Sequence, residues 1–185
     1  TGLVLQVVEP HLNGPAGDMP AIFFSATTGK VETLCAQGTA PEAATIAHYL
    51  EKGLKLIPGS GLLSTVVPGA FDGWMLMLRD HGTLELSEVM QPAIDYARDG
   101  HPVLPRVAHT IAGLSEYFAQ HWPSSAAIWT PQGRAPQPHA LFKNPDLADT
   151  YARLAASDGD SRTARIDAAR TAWRSGFVAD AVFDY

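Results

Sequence analysis

The sequence holds a single cysteine, Cys35, in 185 residues, and that scarcity removes several chemistries. An intrachain disulfide framework and a cysteine-ligated zinc cluster are both excluded. As a nucleophile Cys35 would need a positioned base. Within the alternating run Val31 to Ala36 it reads instead as a small core residue. Positive charge is also scarce: 13 Lys and Arg face 19 Asp and Glu, a net charge of −6. Binding a phosphate backbone calls for the opposite balance, so nucleic acid is not an expected partner. The arginines that do cluster, Arg162, Arg165, Arg170 and Arg174, sit among Ala and Asp and read as a solvated helix face. No apolar run approaches the roughly 20 residues that cross a bilayer, so no membrane partner is expected.

Familiar catalytic patterns are missing too. The seven histidines show no metal spacing: His48 is followed by Tyr-Leu-Glu, where two imidazoles on one helical face would need Glu-x-x-His. His81 and His101 stand beside Gly and Pro at expected helix ends, where an imidazole meets terminal carbonyls, so a capping role fits them best. Ser60 lies in PGSGLLS, which lacks the G-x-S-x-G of a nucleophile turn. Gly59-Ser60-Gly61 lacks the downstream Gly-Lys-Ser/Thr of a phosphate loop and reads as a connector. Asp95 and Asp99, one helical turn apart, flank Arg98 on an exposed face and do not form an acid–base pair.

What is present is a globular chain, with 46% apolar and 17% charged residues. Its length suits one ordinary domain with a real core, so residues 1–185 are expected to form a single α+β unit. Gly2 to Glu9 is the apolar tail of a buried helix or strand ending at Pro10. HLNGPAGDMP, residues 11–20, is a loop. AIFFSA, TTGK and VETLCA, over residues 21–36, spell a β-hairpin with a Gly-containing turn. Thr39 or Pro41 opens a short helix through Leu50, and 54–64 is a Gly/Pro-rich connection. Pro68 fits the first turn of a helix carrying Phe71, Trp74, Met75 and Leu78, stopped at His81-Gly82. Ser87 opens another, with Ile94, Tyr96 and Ala97, ending before Gly100 and Pro102. Pro105 to Gln120 is amphipathic through Val107, Ile111, Leu114 and Phe118. The stretch 122–138, with Pro123, Pro131, Pro136 and Pro138, reads as a loop. Asn144-Pro145 caps a helix to Leu154, and a last helix spans about Arg162 to Arg174.

One long run goes beyond periodicity. VVPGAFDGWMLMLRDHGTLELSEVMQPAIDYARDGHPV, residues 66–103, resembles the large subunit of the γ-glutamyltranspeptidase family. That family shows V-P-G-x-x-x-G, then H/Y-G-T-L-x-L-x-E-V, then P-A-I-x-x-A-R-x-G-x-P-V. VVEPHLNGPAGDMPAIFFSATTGKVETLCAQGTAPEAAT, residues 7–45, is similar to its V-x-E-P-x-x-x-G-x-G-G-G-F-M stretch, hairpin and R-E-T-A-P-x-x-A-T motif. The likeness is strong from Val7 to Val103, weaker to about Ala156, and returns near Phe177.

The resemblance implies a fragment of the N-terminal nucleophile hydrolase αββα sandwich, mainly helical with a β-hairpin near the N-terminus. It implies amide cleavage or acyl transfer of the glutathione hydrolase type, in a self-cleaving heterodimer. A threonine of the small subunit would be the nucleophile, so no catalytic residue is expected in this chain. Thr1 leads into Gly-Leu-Val-Leu instead of the family's Thr and His, and is read as a chain boundary. No metal or organic cofactor is expected. The implied partners are the small subunit of the same precursor and a small amide substrate. Two positions depart from the family. Gln37-Gly38 stands where R-E is usual, and Gly14-Pro15-Ala16-Gly17-Asp18 replaces a run of glycines. In R-E-T-A-P the Arg pairs with the glutamyl α-carboxylate, a bidentate task that a neutral glutamine cannot repeat. Gln37 and Gly38 are therefore the candidate substrate-binding residues, although Gln37 also fits a surface residue closing the hairpin. An acylase of the cephalosporin type, whose members likewise lack that Arg, is the first alternative. A non-catalytic scaffold relative is the second, and a Thr-Thr-His junction downstream would separate them. Alone, the chain should expose apolar surface along Gly2–Val8 and the hairpin.

Overall fold

A computed structural model describes all residues, Thr1–Tyr185. They group into two compact units, Pro15–Leu76 and Thr1–Gly14 with Met77–Tyr185. Helices predominate, and the longest paired strands form one small antiparallel hairpin. The first unit interrupts the second in sequence, so no linker composition marks the boundary.

The unit Pro15–Leu76 is built on that hairpin. Strand β1 (Met19–Ser25) pairs antiparallel with β2 (Lys30–Ala36), in register from Met19↔Ala36 to Ser25↔Lys30. Gly29 closes the turn at a φ of 67°, which glycine adopts without strain, and its N–H donates to the Ser25 carbonyl at 2.8 Å. Side chains alternate between faces. Met19, Ser25 and Ala36 are buried, while Ile22, Phe24 and Val31 are 74%, 66% and 65% exposed. Cys35 shares the parity of Val31 and is exposed, not a core residue as its neighbours suggest. Helix α2 is shorter than expected, Ile46–Glu51, because its cap is Thr45: the Thr45 hydroxyl accepts from the His48 N–H at 3.2 Å. Helix α3 (Ala70–His81) begins here, with Phe71 and Met75 wholly buried. Pro68 lies two residues ahead of that helix and not in its first turn.

The second unit is helical. Gly2–Val8 is helix α1, and α4 spans Leu86–Asp99. Glu85, not Ser87, is the cap of α4, and the Glu88 carboxylate closes the capping box by accepting from the Glu85 N–H at 2.9 Å. Next come α5 (Pro105–His121), α7 (Pro145–Ala155) and α8 (Arg162–Ser175), separated by shorter pieces. Helix α4 packs against α1, α7 and α8. The contact is lined by Ala93, Ala97, Ala148 and Ala169, all at 0% exposure, whose small side chains let the helices approach closely. Met90, Leu154 and Ile166 fill the remaining space. The Tyr151 hydroxyl donates to Gln6 Oε1 at 2.7 Å, both groups buried, which ties α7 to α1. Leu3 and Val7 of α1 are covered while Leu5 is 38% exposed, so the exposure expected of Gly2–Val8 holds only for its outer face. The exposed hairpin face is observed.

Other differences have local causes. Pro123 sits at the first position of a helix, α6 (Pro123–Trp129), within the expected loop. Leu114 is 40% exposed, and Ala108 takes its place on the buried stripe of α5. His101–Pro102 (β3) pairs with Leu141–Phe142 (β4), a contact across 40 residues that no local pattern announces. Helix α9 (Phe177–Phe183) extends past the last one expected. Arg174 is exposed as expected, but the other three arginines of α8 are not a solvated face. Arg162 donates to the carbonyls of Leu84 and Arg79, at 2.8 and 3.3 Å, and to that of Leu78. Arg165 meets Glu85 at 2.9 Å, and Asp167 bridges Arg79 and Arg170 at 3.0 and 2.9 Å.

Candidate functional site

The site is built where β2 ends. Gln37 follows the last β2 residue and is exposed; its Oε1 lies 3.8 Å from Cys35 Sγ, a weak thiol contact. Gly38 is half-buried, and any side chain there would run into the Val67 carbonyl. One residue on, the Thr39 carbonyl accepts from the Val67 N–H at 2.9 Å, so the two segments run side by side. The residue type at 38 is thus dictated by backbone packing, whereas the side chain at 37 is exposed.

The V-P-G-x-x-x-G spacing now has a physical reason. A Cβ on Gly69 would lie 3.0 Å from the Gly38 nitrogen, and one on Gly73 would strike Ala36 Cβ and Met19 Cε. Both glycines let the start of α3 press against the end of the hairpin. The altered glycine run joins the same place. The carbonyls of Gly17 and Pro15 accept from the N–H groups of Ala70 and Phe71, at 2.8 and 3.1 Å. They occupy donors that a helix start otherwise leaves open. Parts of the three stretches singled out in the sequence, at Pro15–Gly17, Ala36–Thr39 and Val67–Gly73, therefore converge, and Gln37 offers an exposed polar side chain beside their meeting.

Elsewhere the chemistry is structural. The His101 ring is buried, with Nδ1 3.5 Å from the Tyr96 carbonyl; burial pushes its pKa below the ordinary imidazole value. The Arg79 guanidinium, hydrogen-bonded to Asp80 at 2.7 Å, holds that carboxyl below the carboxylate range, and Arg170 does the same for Asp167. Such groups stay ionised, the opposite of what a general acid needs. Asp95 accepts from Gln91, and Arg98 pairs with Asp149 on an exposed face. No group of three or more His, Cys, Asp or Glu side chains is arranged to hold a metal. His11 has both ring nitrogens buried without a hydrogen-bond partner, a feature its loop sequence gave no hint of.

Known proteins sharpen this picture. Glutathione hydrolase-like YwrD proenzyme of Bacillus subtilis is 36% identical over 153 residues, 82% of this chain and 28% of that protein. Oxamate amidohydrolase proenzyme of Klebsiella pneumoniae is 34% identical over 161 residues, 84% of this chain and 30% of its own length. The chain thus spans less than a third of these curated relatives. Among solved structures, LmbA2991HD is 48% identical with a TM-score of 0.89, covering 97% of this chain and 31% of that one. Cephalosporin acylase from Bacillus halodurans is 27% identical with a TM-score of 0.84, covering 98% and 32%. The fold is that of the N-terminal nucleophile hydrolases. The family model described as Gamma-glutamyltranspeptidase matches residues 1–183, and the chain belongs to that family, as part of its large subunit.

Proposed function

We propose that the whole protein is a γ-glutamyltranspeptidase-like amidohydrolase and acyltransferase whose preferred acyl donor is not the γ-glutamyl group. The observation that carries this reading is Gln37, a neutral and exposed amide at the junction of the three motif segments, where the family motif has an Arg. An arginine fork binds a carboxylate through two charge-assisted hydrogen bonds; an amide N–H₂ offers neutral ones of about half the strength. The relatives' names support a range of donors on this scaffold, since one names oxamate and another cephalosporin. Their designation as proenzymes supports a second subunit cut from the same precursor.

In this reading a threonine hydroxyl of the small subunit attacks the amide carbonyl. The C–N bond breaks, the amine leaves with a proton, and the acyl ester passes to water or to another amine. This chain's part is to present Gln37 to the acyl group and to hold β2 in place through Gly38, Gly69 and Gly73. The test uses the intact, self-cleaved protein with γ-glutamyl-p-nitroanilide and a panel of other acyl p-nitroanilides. We expect higher kcat/KM for uncharged acyl groups; efficient turnover confined to the γ-glutamyl donor would overturn the reading.

A further inference from the structure

We propose that Asp18 is a second specificity-determining residue of this site, and that with Gln37 it recognises an acyl group carrying an ammonium and no carboxylate. The inference rests on the reading of Gln37 above and narrows the substrate class which that reading leaves open. Asp18 belongs to the altered glycine run, at the last glycine position of G-x-G-G-G-F-M. Where the family pattern offers a glycine and a cation, this chain therefore offers an anion, Asp18, and a neutral amide, Gln37. Position 38, where the motif's Glu is missing, turns toward Val67 instead.

The two departures lie 19 positions apart in sequence and meet across the end of the hairpin. Met19↔Ala36 is the last pair of the β1–β2 ladder, so Asp18 and Gln37 come next in register. The positions beyond them are also held together. The Gly17 carbonyl accepts from the Ala70 N–H at 2.8 Å, and a Cβ on the neighbouring Gly69 would lie 3.0 Å from the Gly38 nitrogen. Bracketed on both sides, Asp18 and Gln37 oppose each other, an arrangement that in antiparallel pairs sets Cβ atoms about 5 Å apart. Side chains alternate between faces. Met19 and Ala36 are buried, so Asp18 and Gln37 point to the outer face, and both are exposed. The Asp18 carboxylate makes no hydrogen bond or ion pair within the chain. An ammonium between the two meets the carboxylate and the Gln37 Oε1, both acceptors for its N–H donors. A carboxylate in that place meets a like charge. The γ-glutamyl group brings both charges at once, so what its ammonium gains its carboxylate loses.

The experiment measures kcat/KM of the intact, self-cleaved protein on the butanoyl, 4-aminobutanoyl and 4-carboxybutanoyl p-nitroanilides, corrected for uncatalysed release, beside γ-glutamyl-p-nitroanilide. We expect 4-aminobutanoyl to exceed butanoyl, and butanoyl to exceed 4-carboxybutanoyl, each by at least about threefold, the worth of an exposed charge contact. Asp18→Asn should shrink both ratios toward one. Salt at about 0.5 M should shrink them in the unaltered enzyme and leave them unmoved in the variant, because only a charge contact is screened. A general loss of folding lowers all donors together and cannot produce these changes. If butanoyl exceeds γ-glutamyl but 4-aminobutanoyl gains nothing over butanoyl, or Asp18→Asn leaves the ratios unchanged, the role of Asp18 is refuted while the reading of Gln37 stands. If the unaltered enzyme accepts only γ-glutamyl-p-nitroanilide, the reading of Gln37 itself fails, and that of Asp18 with it.

Discussion

Two adjacent residues, Gln37 and Gly38, differ in what fixes them. Gly38 stands against the Val67 carbonyl, with no room for a methyl group. Gly38→Ala should therefore destabilise the protein by about 2 kcal/mol or more, the cost of overpacking against unyielding backbone. Urea unfolding of the intact protein measures this, and a change within about 0.5 kcal/mol would remove Gly38 from the scaffold. Gln37 faces solvent, so replacing it should scarcely move stability. Its effect belongs to substrate choice: Gln37→Arg should raise kcat/KM for γ-glutamyl-p-nitroanilide by at least about tenfold, as a charged bidentate donor replaces a neutral one. An unchanged ratio between γ-glutamyl and uncharged donors would place recognition elsewhere. Both positions were visible in the sequence, as a break in a motif. Their division of labour was not, because Val67 is 29 positions away from Gly38.

Among the elements, helix ends tell a similar story. Thr45, Asn144 and Ser161 cap their helices through side chains three residues from the N–H they serve, with Asn144 accepting from Leu147 at 3.1 Å and Ser161 from Ala164 at 3.1 Å. Local caps of this kind can be read from a sequence. The far end of α3 is different. Its last carbonyls are met by the guanidinium of Arg162, which approaches from more than 80 positions along the chain and opposes the negative end of the helix dipole. Arg162→Ala should cost about 2 kcal/mol, the usual worth of hydrogen bonds to a charged group. Arg98→Ala, which loses only an exposed pair with Asp149, should cost less than about 1 kcal/mol. Thermal unfolding of the two variants side by side checks the contrast, and equal losses would contradict it. Spacing alone made all these arginines look solvated, since a helix face that meets carbonyls carries the same residues as one that meets water.

For the whole molecule, buried titratable groups set the pH range of stability. Burial raises the Tyr151 phenol above its ordinary 10.0, so the native state keeps a proton that the unfolded chain releases. That contribution is intact below pH 10 and is lost as the pH climbs beyond it. Burial lowers the His101 pKa from 6.5, so below that pH the unfolded chain takes up a proton that the native ring resists, and stability falls. Asp80 and Asp167, held ionised by arginines, add a further loss below 3.8. Their exposure keeps it small. The melting temperature should therefore be highest between about pH 7 and 9. Tyr151→Phe should flatten the alkaline fall, while lowering stability throughout by leaving the buried Gln6 amide short of a donor. His101→Phe should flatten the fall between pH 6.5 and 5. A melting profile in which neither variant changes its limb would refute the assignment.

The sequence by itself determined the helices with strong apolar periodicity, the hairpin, the local caps and the family likeness, because each is written in residues close together along the chain. It also located the break at Gln37-Gly38. Only the tertiary structure decided which face of the hairpin is covered, why V-P-G-x-x-x-G needs its two glycines, and that Arg162, Arg165 and Arg170 of α8 bind carbonyls and carboxylates. Those outcomes depend on backbones and side chains that meet only when distant segments pack, and no local pattern encodes which segment will arrive.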